Sequence, residues 1–132
     1  MKMRNLIIAV VLIGFTVGSI AWAAEKTKMG WSNPTTNTDG SSLVGTITNK
    51  VYCGASSGTY SKTTLISGLT TTWTTLSSVA CVVTGTNYFA VTATVANVES
   101  EKSNEANIMA INGRYFDVMP EPNPPSSCCS FF

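Results

Sequence analysis

The side chains that could do chemistry here are few: four cysteines and seven carboxylates, with no histidine anywhere in 132 residues. Histidine is the common general base, so neither a Ser-His-Asp nor a Cys-His arrangement can be assembled. Carboxylate-only chemistry needs two acids facing each other across a cleft. Asp39 falls in a loop-forming stretch, Glu99, Glu101 and Glu105 in a polar turn, and Asp117 and Glu121 near the C-terminus, all in settings that read as solvated. The cysteines also fail the pairing that zinc demands. Cys53 and Cys81 are isolated and Cys128 and Cys129 adjacent, whereas zinc sites bring ligands in as C-x₂₋₄-C, often completed by His. Gly54-Ala-Ser-Ser-Gly58 has no following helix and no Walker lysine, so it reads as a hairpin turn and not as a phosphate loop. The expectation is a non-enzyme with no catalytic residue, no cofactor and no metal.

Charge narrows the partners further. The first 23 residues divide off by composition: Lys2 and Arg4, an apolar run from Leu6 to Ile13, then Ala21-Trp22-Ala23, the small-x-small form of a signal-peptidase site. Residues 1–23 are therefore expected to be a signal-peptide helix cleaved after Ala23. The alternative is an uncleaved anchor, because Leu6 to Ala24 has about the length of a membrane span. Beyond Ala23, Lys26, Lys28, Lys50, Lys62, Lys102 and Arg114 stand against the seven acidic residues, leaving a near-neutral chain with no bulk attraction for nucleic acid or anionic lipid. Membrane contact is expected only through the N-terminal segment, if it is retained. The expected location is secreted, periplasmic or cell-surface.

The elements that must position these residues read as strands. The chain after Ala23 is rich in Thr, Ser, Val and Gly, and β-branched side chains fit a pleated surface better than a helix. Short alternating runs appear at Lys28 to Ser32, Thr46 to Gly54, Thr59 to Ile66, Thr70 to Leu76, Ala80 to Val83, Asn87 to Val95 and Ala106 to Ile111. Asn87 to Val95 has the clearest period of two, with Phe89, Val91, Ala93 and Val95 on one face. Pro34 to Gly40, Ser67-Gly68, Thr84-Gly85 and Asn97 to Glu105 supply the turns. Six or seven short strands in a chain with room for one core describe an all-β sandwich. Three regions are expected: signal peptide 1–23, sandwich 24–112, and a Pro-rich, Cys-containing tail 113–132 that stays extended and unpacked.

Three segments resemble the fibronectin type III domains of exported bacterial proteins, over about Lys28 to Ile111. Trp31 to Ser41 looks like the family's first core Trp and its following loop, and Lys50 to Tyr60 like its third strand and turn. Gly85 to Ala93, with Glu99-Ser100 and Ser103-Asn-Glu105, looks like its penultimate strand and the entry to its last. The resemblance implies an immunoglobulin-like sandwich of about seven antiparallel strands with Trp31 on an inner face. It places the family's corner tyrosine at Asn87, with Tyr88 one residue late, so that either a residue has been lost or the corner hydrogen bond is absent. It also puts Cys53 and Cys81 at the same end of the sandwich. In an oxidising compartment they form a disulfide worth on the order of 3 kcal/mol, or else remain buried thiols packed as small hydrophobes.

Cys128 and Cys129 follow Pro120-Glu-Pro-Asn-Pro-Pro125. They are expected to belong to the tail, as intermolecular thiols on a stiff spacer or as thiols without a role. Candidate binding residues are Asn37, Asp39, Tyr60 and Trp73. The Asn33 to Ser42 loop and the Val95 to Lys102 turn are the candidate contact face. The functional expectation is an interaction or adhesion module for an unknown protein or polysaccharide. A structural subunit that self-associates through its tail is the alternative.

Overall fold

The computed structural model describes residues 24–68, 71–118 and 128–132. The expected signal segment and the proline run lie outside them. Ten strands are present among the described residues: β1 (Glu25–Lys26), β2 (Lys28–Trp31), β3 (Thr48–Gly54), β4 (Lys62–Ser67), β5 (Trp73–Thr75), β6 (Gly85–Val95), β7 (Val98–Glu99), β8 (Ala106–Ile111), β9 (Arg114–Phe116) and β10 (Cys129–Phe131). All pairings are antiparallel. The larger sheet runs β1-β9-β8-β6-β3-β4, with β7 also on β6, and the smaller runs β10-β2-β5.

Alternation decides which side of each strand is buried. On β3, Asn49, Val51 and Cys53 point inward while Thr48, Lys50 and Tyr52 are half-buried on the other face. On β8, Ala106, Ile108 and Ala110 point inward. Met29 and Trp31 from β2 and Cys129 from β10 meet Val51, Phe89, Val91 and Ile108 of the larger sheet in one core. The two sheets thus pack face to face as a sandwich, with Trp31 inside it as expected. Burying Phe89, Met29 and Ile108 completely is worth roughly 1.5–3 kcal/mol for each side chain.

The stretch from Ala80 to Val83 is not a strand. Leu76 to Val79 instead makes one helical turn that buries Leu76 and Val79, placing two apolar residues three apart on one side. The tail expectation is corrected more deeply. Asn112 and Gly113 both have positive φ, 50° and 77°, as a two-residue type I′ hairpin turn requires. They fold Arg114 to Phe116 back onto β8. Further on, Cys129 to Phe131 pairs with β2, setting Cys129 opposite Trp31 and Phe131 opposite Met29. The extreme C-terminus completes the smaller sheet because Cys129 and Phe131 supply apolar side chains at alternate positions.

Candidate functional site

Asn87 is fully buried and ties β6 to the segment before it. Its Oδ1 accepts hydrogen bonds from the backbone N–H groups of Cys81 and Val82, at 2.9 and 3.0 Å, and its Nδ2 donates to Val82 O at 3.0 Å. The amide thus holds the Cys81–Val82 backbone against β6. Beside it, Cys53 and Cys81 lie at disulfide distance with Cα atoms 5.8 Å apart. Cys128 and Cys129 are likewise at disulfide distance from each other. That corrects the expectation of intermolecular thiols: the two sulfurs face one another, and Cys129 is buried.

Two carboxylates expected to be merely solvated are engaged. Glu99 accepts from Lys50 Nζ at 2.7 Å, from Thr92 Oγ1 at 2.7 Å and from the Tyr52 hydroxyl. The lysine, then the two hydroxyls, lower its pKa to about 2. Glu105 accepts from Ser57 Oγ at 2.6 Å, Gly58 N at 2.9 Å and Tyr60 OH at 2.8 Å. Burial pushes this carboxyl upward, and the Ser57, Gly58 and Tyr60 bonds outweigh it, so its pKa falls. Tyr60 is pushed up to about 12 by burial and then by Glu105. Tyr60 is thus a strut that ties the β3–β4 turn to the entry of β8.

Asn37 and Asp39 close their own loop. Asn37 Nδ2 donates to Ser41 Oγ at 2.9 Å, and Asp39 Oδ1 accepts from Ser41 N and Oγ at 2.9 and 2.6 Å. The four candidate residues therefore do not form one site.

Trp73 is different. It pairs with Gly30 across β2 and β5, on the outer face of the smaller sheet, and remains 42% exposed. Lys28 Nζ lies 4.5 Å from the centre of its ring. The absent side chain of Gly30 leaves the space that the Phe132 ring fills, since a Cβ there would stand 2.9 Å from Phe132 Cε1. Phe132, 54% exposed, and Trp73 thus flank a hollow of about 530 Å³, walled also by Ser32, Thr72, Ser130 and the Cys128–Cys129 pair. Sequence reading missed Phe132, because its role depends on β10 docking from the far end of the chain.

Around the edge formed by Trp31, Ser32 and Cys128 lies a second recess, of about 320 Å³. Asn33 and Pro34 form one side of it, and Ser100, Glu101 and Ser103 the other. The two loops expected to make a contact face therefore do meet. Among the described residues no helix is long and apolar enough to cross a membrane. No protein-family model, curated protein or solved structure matches this chain.

Proposed function

We propose that this chain is an exported, non-enzymatic binding module of the fibronectin type III kind, and that it holds a glycan on the outer face of its smaller sheet. The observation that carries the reading is the aromatic hollow between Trp73 and Phe132. Partly exposed aromatic rings beside hydroxyl side chains suit the C–H face and hydroxyl rim of a sugar. The hydroxyls of Ser32, Thr72 and Ser130 supply that rim. The sandwich topology, the inward Trp31 and the hydrogen-bonded Asn87 corner support the family reading. The two cysteine pairs fit an oxidising, extracytoplasmic setting.

The test is retardation of the protein in native gels cast with soluble polysaccharides, β-glucan and chitosan-derived N-acetylated polymers among them. Wild-type protein is expected to be slowed by at least one polymer, and Trp73→Ala to bind about tenfold more weakly, the loss typical of a central aromatic contact. Equal retardation of the two proteins, or none of either, rejects the hollow as a glycan platform.

A further inference from the structure

The recess beside the hollow holds an imbalance of hydrogen-bonding groups. Two of its three serines are already employed: Ser100 Oγ accepts from Ala93 N at 3.0 Å and donates to Glu101 O at 2.9 Å, and Ser103 Oγ accepts from Val91 N at 2.8 Å and donates to Asn104 O at 3.1 Å. Thr92 Oγ1 donates to Glu99. Left over are Trp31 Nε1, Asn49 Nδ2 and Asn33 Oδ1, three of the four buried side-chain polar atoms without a partner among the described residues. All three belong to residues that line this recess. Asn49 is 1% exposed and Trp31 9%, so neither escapes its deficit by turning to solvent. Left unmet, such orphans are destabilising, and three on residues lining one recess specify the chemistry of whatever relieves them.

Two donors and one acceptor, all uncharged, complement a secondary amide, whose oxygen takes two hydrogen bonds and whose N–H gives one. A carboxylate would leave Asn33 Oδ1 unanswered and meet no cation. A hydroxyl offers the same count, two lone pairs and one O–H, but brings no apolar group to the wall. Val91, Ala93, Pro34 and Cys128 complete the wall with apolar surface, which fits a methyl group.

We infer that this recess takes the acetamido group of an N-acetylated amino sugar, its oxygen between Trp31 Nε1 and Asn49 Nδ2 and its N–H on Asn33 Oδ1. The inference rests on the glycan-binding reading and names its sugar class. The shared edge at Trp31, Ser32 and Cys128 lets neighbouring residues of a polymer run on toward Trp73. The three atoms are out of solvent contact in the unliganded form, so entry requires the Asn33-Pro34 rim, a loop segment outside the strands, to part, while Ser100 and Ser103 stay tied to β6.

The experiment is a titration of ¹⁵N-labelled protein with N-acetylglucosamine, glucose and N-methylacetamide, followed by two-dimensional NMR. The Trp31 indole N–H and the Asn49 side-chain NH₂ signals are expected to shift saturably with N-acetylglucosamine and N-methylacetamide and not with glucose. Asn49→Leu and the loop variant Asn33→Ala are each expected to weaken that response about tenfold, and the second leaves the core untouched. Trp73→Ala is expected to keep the monosaccharide response while losing polymer retardation, which separates this inference from the platform reading. The inference is overturned if neither acetamido probe moves these signals, if glucose moves them equally, or if a long-lived water on the Trp31 indole persists undisturbed by the probes.

Discussion

At the scale of single residues, the hydrogen bonds of one side chain decide two local outcomes. The Asn87 amide reaches the Cys81–Val82 backbone because that segment comes close beside the Cys53–Cys81 pair. Asn87→Ala strands two N–H groups and one carbonyl. It is expected to cost about 2–4 kcal/mol in urea unfolding, and a loss under about 0.5 kcal/mol would show that the corner is idle. The sequence made position 87 conspicuous but could not reveal its partners, since they depend on how the chain before β6 returns. Glu99, which reads as solvated in the sequence, shows its partners only in the fold. Its folded pKa of about 2 lies below the ordinary 4.5 because Lys50, Tyr52 and Thr92 bind the charged form. The depressed value makes its contribution fully present above pH 4.5, and it is lost as pH falls toward 2. Melting temperatures of wild type and Glu99→Gln are expected to differ at pH 6 and to converge near pH 2. A gap that is constant across this range would assign the effect to something other than the charge.

At the scale of elements, alternation in sequence located β3, β6 and β8, and Ala106 to Ile111 matches its observed bounds. Strands whose partners are local or apolar on one face advertise themselves in this way. The C-terminal strands did not, for two reasons. Asn112-Gly113 is a strong turn signal, but the proline run after it drew the whole segment into one tail. Cys129 to Phe131 is only three residues long, too short for a period, and acquires its conformation from the edge of β2. That edge is otherwise a row of open backbone groups: Thr27 N and Lys28 N donate to Phe132 O, at 3.1 and 2.8 Å, and Phe132 N donates to Lys28 O at 3.0 Å. Deleting residues 128–132 reopens it and also removes Phe131 from Phe89, whose ring lies 6.1 Å away. Open edges recruit other chains, so the truncated protein is expected to sediment as larger species than wild type does. A truncated protein that sediments as wild type does, with an unchanged melt, would make β10 dispensable.

At the scale of the whole molecule, the two cysteine pairs lie close to different parts of the core but constrain the chain very differently. The Cys53–Cys81 pair spans 28 residues, from the end of β3 through β4 and β5 to the approach to β6. A bond there removes freedom from the unfolded chain across about a quarter of the fold, worth roughly 3–4 kcal/mol in the chain-entropy account. Cys128 and Cys129 are neighbours, and a bond between them closes no loop of consequence. Its stabilising effect must come from how it shapes the strand that docks on β2 and the edge shared by the hollow and the recess. The double replacement Cys53→Ala with Cys81→Ala is therefore expected to lower stability by roughly 3–4 kcal/mol, measured by guanidinium unfolding without reductant. Cys128→Ala with Cys129→Ala is expected to cost about 1 kcal/mol, chiefly the lost burial of the Cys129 side chain, while weakening polysaccharide retardation. Equal losses from the two replacements would mean that the adjacent pair, and with it β10, holds the sandwich together as a global element and not only as the wall of the site.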